Sequence, residues 1–153
     1  MNKHPAKQAE LIALQRELGQ TIGDVSRAWR YEMNLRLKPF GLNLSMRQVL
    51  VLLHRHPDGL VQKQLARRLG IEEPTLARLL DQLEKKEWIT RIPSQDDKRC
   101  KYSKLTSKAS KQIQIIEKLS RQLRKEMMQG LDEAEMETAL RILSVMRDNL
   151  HAL

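Results

Sequence analysis

Thr75, Arg78, Gln82 and Lys85 are the residues of this 153-residue chain whose types and spacing best suit a chemistry. Separated by three, four and three positions, they share one face of a helix. Each can hydrogen-bond to a base edge or a phosphate: arginine spans O6 and N7 of guanine, and glutamine pairs with adenine. Leu76, Leu79, Leu80 and Leu83 recur at i, i+3, i+4 and i+7 on another face and must meet a core. A polar stripe beside an apolar one is, on its own, an ordinary solvated helix. Charge adds weight to the first reading. Lys+Arg 28 against Asp+Glu 19 leaves a formal charge of +9, which points to a polyanion, with nucleic acid the first candidate. At 3% aromatic residues the chain has too few rings for the stacking platforms that hold single strands.

Those side chains need a frame, and the flanking residues supply one. A short helix over 61–69 carries Leu65, Ala66 and Leu69, with Gly70 placed as a left-handed cap. Pro74 then opens a helix over 74–86, where its missing N–H is not needed. Two helices on a tight glycine turn form a helix-turn-helix. Upstream, Ser45 is the expected N-cap of a helix bearing Met46, Val49, Leu50, Leu52 and Leu53, ended by His56-Pro57-Asp58-Gly59. Downstream, Trp88–Ile92 and Lys101–Leu105 alternate as strands do, around the polar stretch Ser94–Cys100. That hairpin, 88–105, carries Lys98, Arg99 and Lys101 at or near its tip. It is either a wing reaching an adjacent groove or a charged hairpin that keeps its edge unpaired.

The two ends read as long helices. Leu11, Leu14, Leu18, Ile22, Val25 and Trp29 make one stripe within 8–38, which Pro39 and Gly41 stop. Gly19 and Gly23 inside it mark a bend or a close helix contact. Ile113, Ile116, Leu119, Leu123 and Met127 make a second stripe over 107–128. Gly130 breaks it, and Asp132 caps a last helix with Met136, Ala139, Leu140, Leu143, Met146 and Leu150. Such stripes close within the chain as a three-helix bundle or join two chains about a twofold axis; a homodimer is the expectation. Charge divides along the chain: 45–105 holds 13 basic and 8 acidic groups, 129–153 only 2 basic and 5 acidic.

Other functions find little to hold. There is no phosphate-cradling glycine loop, nucleophile elbow or His-Glu metal motif, so an enzyme is not expected. His54-x-His56 lacks companions at ligand spacing, and no metal or other cofactor is expected. The one cysteine, Cys100, sits among Arg91, Lys98, Arg99 and Lys101, cations that favour a thiolate, yet it reads as an incidental exposed thiol. A chain that cannot form an internal disulfide fits a reducing cytoplasm. No apolar run approaches the ~18–20 residues of a membrane span, and the N-terminus has no signal-peptide core.

The run LVQKQLARRLGIEEPTLARLLDQLEKKEWITR followed by DDKRCKYSKLT resembles the MarR/SlyA family of bacterial winged-helix transcription regulators. The flanking helices match as well. Asp97-Lys98-Arg99 with Leu105-Thr106 is similar to the family's D-x-R … L-T wing signature. The resemblance implies a mainly α fold with a small β-hairpin: one MarR-type domain over 1–153, a winged helix-turn-helix over 45–105, and dimerisation helices at 8–38 and 107–153. It implies that Pro74, Thr75 and Arg78 enter the major groove and that Arg99 enters the minor groove, where A·T-rich narrowing deepens the negative potential. Asp97 matches the wing acid, expected to orient Arg78 or Arg99. Two positions depart from the family: Glu87-Trp88 replaces Gly-Leu before the wing strand, and Val61-Gln62 replaces a hydroxyl residue that would reach a phosphate.

Family members commonly bind small anionic or phenolic aromatics in a crevice between the dimer helices and the winged domain. Trp29, Arg30, Met33 and His54 are candidates to line it, although a Trp and a Met at helical spacing are more often core. The expected function is a cytoplasmic homodimer that reads a palindromic, A/T-rich operator in double-stranded DNA and is relieved by such an effector. The alternative is a winged-helix architectural or protein-interaction module that binds DNA without sequence preference.

Overall fold

The structure, a computed structural model, describes residues 4–93 and 101–153. They fall into two compact units, Met1–Leu119 and Ser120–Leu153. Helix α1 (His4–Leu37) opens the first unit. Only its C-terminal end is buried, at Met33 and Leu37, while Leu11, Leu14, Leu18 and Val25 are exposed. Pro39 sits in a 3₁₀ turn (Lys38–Phe40) that ends the helix where expected.

Helix α2 (Leu44–His54) is capped by Asn43, not by Ser45. The Asn43 carboxamide accepts the Met46 N–H at 2.9 Å, and Asn34 of α1 accepts the Leu44 N–H at 3.2 Å. Two orphan donors of the first turn are thus satisfied by amides, so the helix starts earlier than the serine suggested. Met46, Val49, Leu50 and Leu53 are buried on its inner face.

A two-residue strand, β1 (Leu60–Val61), leads into α3 (Gln62–Leu69). It was not expected, since two residues are too few for alternation to show. Gly59 lets it approach the sheet: φ is +87°, and an added Cβ would stand 2.8 Å from the Ser103 carbonyl oxygen. Gly70 (φ +64°) makes the tight turn into α4 (Glu73–Lys85), with Pro74 in the first turn. Leu65 of α3 and Leu76, Leu80 and Leu83 of α4 are fully buried. They close the helix-turn-helix over α2.

Strands β2 (Ile89–Pro93) and β3 (Lys101–Leu105) pair antiparallel, Ile89 opposite Leu105 and Pro93 opposite Lys101. β1 adds to the other side of β3, giving the order β1-β3-β2. A 3₁₀ turn (Ser107–Ala109) precedes α5 (Ser110–Met127), so the helix expected over 107–128 starts as a tighter turn. Ala109, Ile113 and Ile116 complete the core of the first unit.

In the second unit, Asp132 caps α6 (Glu133–His151) in a capping box: its carboxylate accepts the Glu135 N–H at 2.8 Å, and Glu135 accepts the Asp132 N–H at 2.9 Å. No residue of α6 is buried.

Candidate nucleic-acid interface

The polar stripe read from the sequence lies on α4 and faces outward. Pro74, Thr75, Arg78, Gln82 and Lys85 are all exposed, while Leu76, Leu79, Leu80 and Leu83 are buried. Among the described residues, no hydrogen bond or ion pair engages Arg78, Gln82 or Lys85. Lys101 is exposed at the start of β3. Asp97, Lys98, Arg99 and Cys100 lie outside the described residues.

The junction from α4 to the wing is a Schellman turn built on a glutamate. Trp88 N–H bonds to Leu83 O at 3.0 Å and Glu87 N–H to Glu84 O at 2.8 Å, which satisfies the last carbonyls of α4. Glu87 takes φ +59°, a left-handed value that glycine would adopt at little cost. Its neighbours hold it there. Thr106 Oγ1 donates to the Glu87 carbonyl at 2.6 Å, the Thr106 N–H reaches Trp88 O at 3.1 Å, and Lys108 pairs with the Glu87 carboxylate. The lysine's hydrogen bond, and then its charge, lowers the Glu87 pKa below the ordinary carboxylate value. Trp88, expected to start the strand, instead buries its ring beneath Lys86, whose ammonium lies 4.9 Å from the ring centroid.

Sequence reasoning missed one constellation at this surface. Arg91, in the middle of β2, donates from Nε to Glu84 at 2.9 Å and from Nη2 to Asp81 at 2.7 Å; Nη2 also contacts Glu84. The hydrogen bond from Arg91 lowers the Glu84 pKa, and the same bond raises that of Arg91. The available signal was the spacing: Asp81 and Glu84 are one helical turn apart on the flank of α4, and strand alternation puts Arg91 on the same side as the buried Ile89.

At α3, the Gln64 side chain accepts the Val61 N–H at 3.2 Å. Gln64 therefore takes up a donor at the position where the family's hydroxyl is absent. His56 is spoken for as well. The Leu52 carbonyl can only accept, so Nδ1 donates to it at 2.8 Å, which leaves Nε2 to accept from Arg68 at 2.7 Å. Among the described residues no group of three His, Cys, Asp or Glu side chains is placed to hold a metal ion.

The four crevice candidates separate. His54 lines a cavity of about 450 Å³ with Leu53, Pro57, Leu105, Thr106, Ser110, Ile113, Gln114 and Glu117. Met33 is fully buried and belongs to the core. Trp29 lies 5.2 Å from the guanidinium of Arg47, and Arg30 is exposed; neither lines this cavity. The cavity's one carboxylate, Glu117, stands 3.9 Å from His54 Nε2.

A helix-turn-helix with an outward polar stripe, flanked by a three-stranded winged sheet, defines a winged-helix DNA-binding protein. The model of the MarR family matches residues 42–101, which span the helix-turn-helix and reach β3. The solved structure of the transcriptional regulator PA3341 is 38% identical, covers 89% of this chain and 99% of that one, and superposes with a TM-score of 0.78. The transcriptional regulator SlyA is 26% identical over 87% of this chain and 93% of that one, with a TM-score of 0.77. MepR from S. aureus, solved as a complex with DNA, is 24% identical over 86% and 96%, with a TM-score of 0.78, a likeness of fold. The chain belongs to the MarR family of transcriptional regulators. Among the described residues no helix is long and apolar enough to cross a membrane.

Proposed function

We propose that this regulator acts in the cytoplasm as a homodimer that reads a palindromic, A/T-rich operator in double-stranded DNA, with α4 in the major groove and the wing in the minor groove. The observation that carries the reading is the α4 stripe: Thr75, Arg78, Gln82 and Lys85 stand exposed on a helix whose other face is locked into the core. A rigid helix whose exposed donors hold no partner among the described residues suits readout of base edges. That MepR, a protein of the same fold, is bound to DNA in its solved structure supports DNA as the partner. Two such helices about one DNA turn apart, ~34–36 Å, would match the half-sites of a palindrome. Lys98, Arg99 and Lys101 belong to the wing's share of the contacts, and Asp97, of its two expected partners, orients Arg99 and leaves Arg78 to the duplex.

Dimerisation is supported by the apolar faces that the single chain leaves open. Leu14 is 61% exposed on α1 and Leu140 68% exposed on α6. Helices 8–38 and 107–153 bury these stripes between two chains.

The effector site is the cavity beside His54. Its volume of about 450 Å³ fits an aromatic molecule of modest size. With one carboxylate and no lysine or arginine in its lining, it favours a phenol that donates to Glu117 or Gln114 over an anionic aromatic. A ligand that prefers a half-site spacing unsuited to the operator releases DNA by population shift.

The test is fluorescence anisotropy on a duplex selected from a random library and on a scrambled control, at about 50 and 200 mM salt. Arg78→Ala should lower affinity for the selected duplex by ~1–3 kcal/mol and relax preference at one position per half-site. Lys85→Ala should weaken both duplexes alike. Equal binding of wild type to both duplexes would replace operator reading with architectural binding.

A further inference from the structure

Asp81 occupies an awkward place on a helix that must approach phosphates. It lies three residues after Arg78 and four before Lys85, the two spacings at which helical side chains of opposite charge pair. Left alone, its carboxylate would draw one or both of the cations that stand ready for DNA. Glu84, one turn further on, would add a second negative charge at the same flank. Neither carboxylate is left alone: Arg91 takes both, through Nε to Glu84 at 2.9 Å and Nη2 to Asp81 at 2.7 Å. The guanidinium is the less exposed partner, 23% against 54% for Asp81 and 39% for Glu84. The backbone that carries it is fixed by the sheet, where Arg91 stands opposite the buried Ser103 in the β2–β3 ladder. A planar fork that serves two carboxylates from a rigid strand holds them better than a flexible lysine or an arginine on the same helix.

Resting on the reading of α4 as the DNA-reading helix, we propose that Arg91 is a positioning residue that sequesters Asp81 and Glu84 and so keeps Arg78 and Lys85 unpaired and available to DNA. Arg91 acts through the two carboxylates and needs no contact of its own with the duplex. Arg78 and Lys85 accordingly hold no ion pair among the described residues, although Asp81 is within their helical reach.

The experiment compares the full-length wild type with Arg91→Met, the double variant Asp81→Asn/Glu84→Gln, and the triple variant that combines all three substitutions. Circular dichroism and thermal melting first show which of them are folded. Arg91→Met should lower affinity for the selected duplex about tenfold or more, the scale of a lost charge-assisted contact. The triple variant, which lacks both the clamp and the charges it hides, should return to within about threefold of wild type, a difference too small for a lost charged contact. The double variant should bind at least as well as wild type. A second readout needs no DNA. In ¹⁵N spectra, the Arg78 Nε–H signal should shift and exchange more slowly in Arg91→Met, as Asp81 captures it, and revert in the triple variant. If wild type binds no duplex selectively but the Arg78 signal behaves in this way, operator reading fails and the sequestration stands. If Arg91→Met binds like wild type, or if the triple variant stays as weak as Arg91→Met, the proposal is overturned. An Arg78 signal unchanged in Arg91→Met also overturns it. Should Arg91→Met fail to fold, the double variant decides: weaker binding than wild type would show that the carboxylates themselves serve the interface, and would overturn it too.

Discussion

Helices α4 and α6 are built to the same design and meet opposite fates. Each repeats leucines and other apolar residues at helical spacing beside a charged face. In α4, four leucines are buried within 13 residues; in α6, 19 residues bury none. The difference lies in what the chain provides opposite each stripe. α4 is enclosed by α2, α3 and the wing, whereas Leu140 and Leu150 of α6 remain more than two-thirds exposed. One helix is finished by its own chain. The other carries a face that its own compact unit leaves open. A recognition helix gains from the first condition, because base readout needs side chains presented from a fixed backbone.

The largest effect that tests this contrast is Leu80→Ala. The side chain is fully buried, so its loss should destabilise the chain by ~2–5 kcal/mol, read from urea unfolding. The matching change in α6, Leu140→Ala, should leave the unfolding of dilute, monomeric protein almost unmoved. It should instead weaken self-association by ~1.5–3 kcal/mol for each leucine withdrawn from the interface, measured by sedimentation equilibrium. If Leu140→Ala destabilises the dilute chain as much as Leu80→Ala does, the stripe of α6 is covered within its own chain and the dimer reading fails.

The contrast also explains what the sequence could disclose. The α4 leucines, the Gly70 turn, the Asp132 cap and the alternating wing strands depend on neighbours a few residues away, so periodicity and turn chemistry were enough to place them. The choice between Asn43 and Ser45 as cap turned on Asn34, nine residues upstream of Asn43 on another helix, which no local pattern reports. β1 was too short to alternate, and its pairing with β3 joins residues more than forty positions apart. Of the proposed interface, the outward stripe of α4 was legible because it is a matter of one helix. The Arg91 clamp was not, because it joins a helix to a strand through side chains whose charges alone suggest several partners. The crevice candidates depend on packing in the same way: His54 lines the cavity, whereas Met33 is fully buried. Met33 continues the apolar spacing of α1 past Trp29, and spacing alone does not tell the buried end of that stripe from its exposed part.

The smallest effect is the most diagnostic of how helix and wing are joined. Glu87 holds a left-handed backbone (φ +59°) at the Schellman turn, a conformation that costs an L-residue ~1–2 kcal/mol and glycine almost nothing. Glycine also loosens the unfolded chain, which returns ~0.4–1 kcal/mol of that advantage. Before the Lys108 pair is counted, Glu87→Gly should therefore stabilise the protein by about 0–1.6 kcal/mol, the difference between those two quantities. The Lys108 partner opposes this gain and gives it a pH dependence of definite sign. Its hydrogen bond lowers the folded-state pKa of Glu87 below the unfolded value, so the pair contributes above the unfolded pKa and is lost as pH falls through the folded one. The benefit of Glu87→Gly should thus grow as pH drops through the carboxylate range, where the wild type has already lost the pair. Glu87→Gln keeps the backbone strain and removes the charge, so it should be slightly less stable than wild type at neutral pH and equal to it in acid. Urea midpoints for the three proteins, taken across that range, separate strain from charge at one residue. A gain from Glu87→Gly that is the same at every pH would show that Lys108 contributes nothing and that backbone strain alone governs the turn.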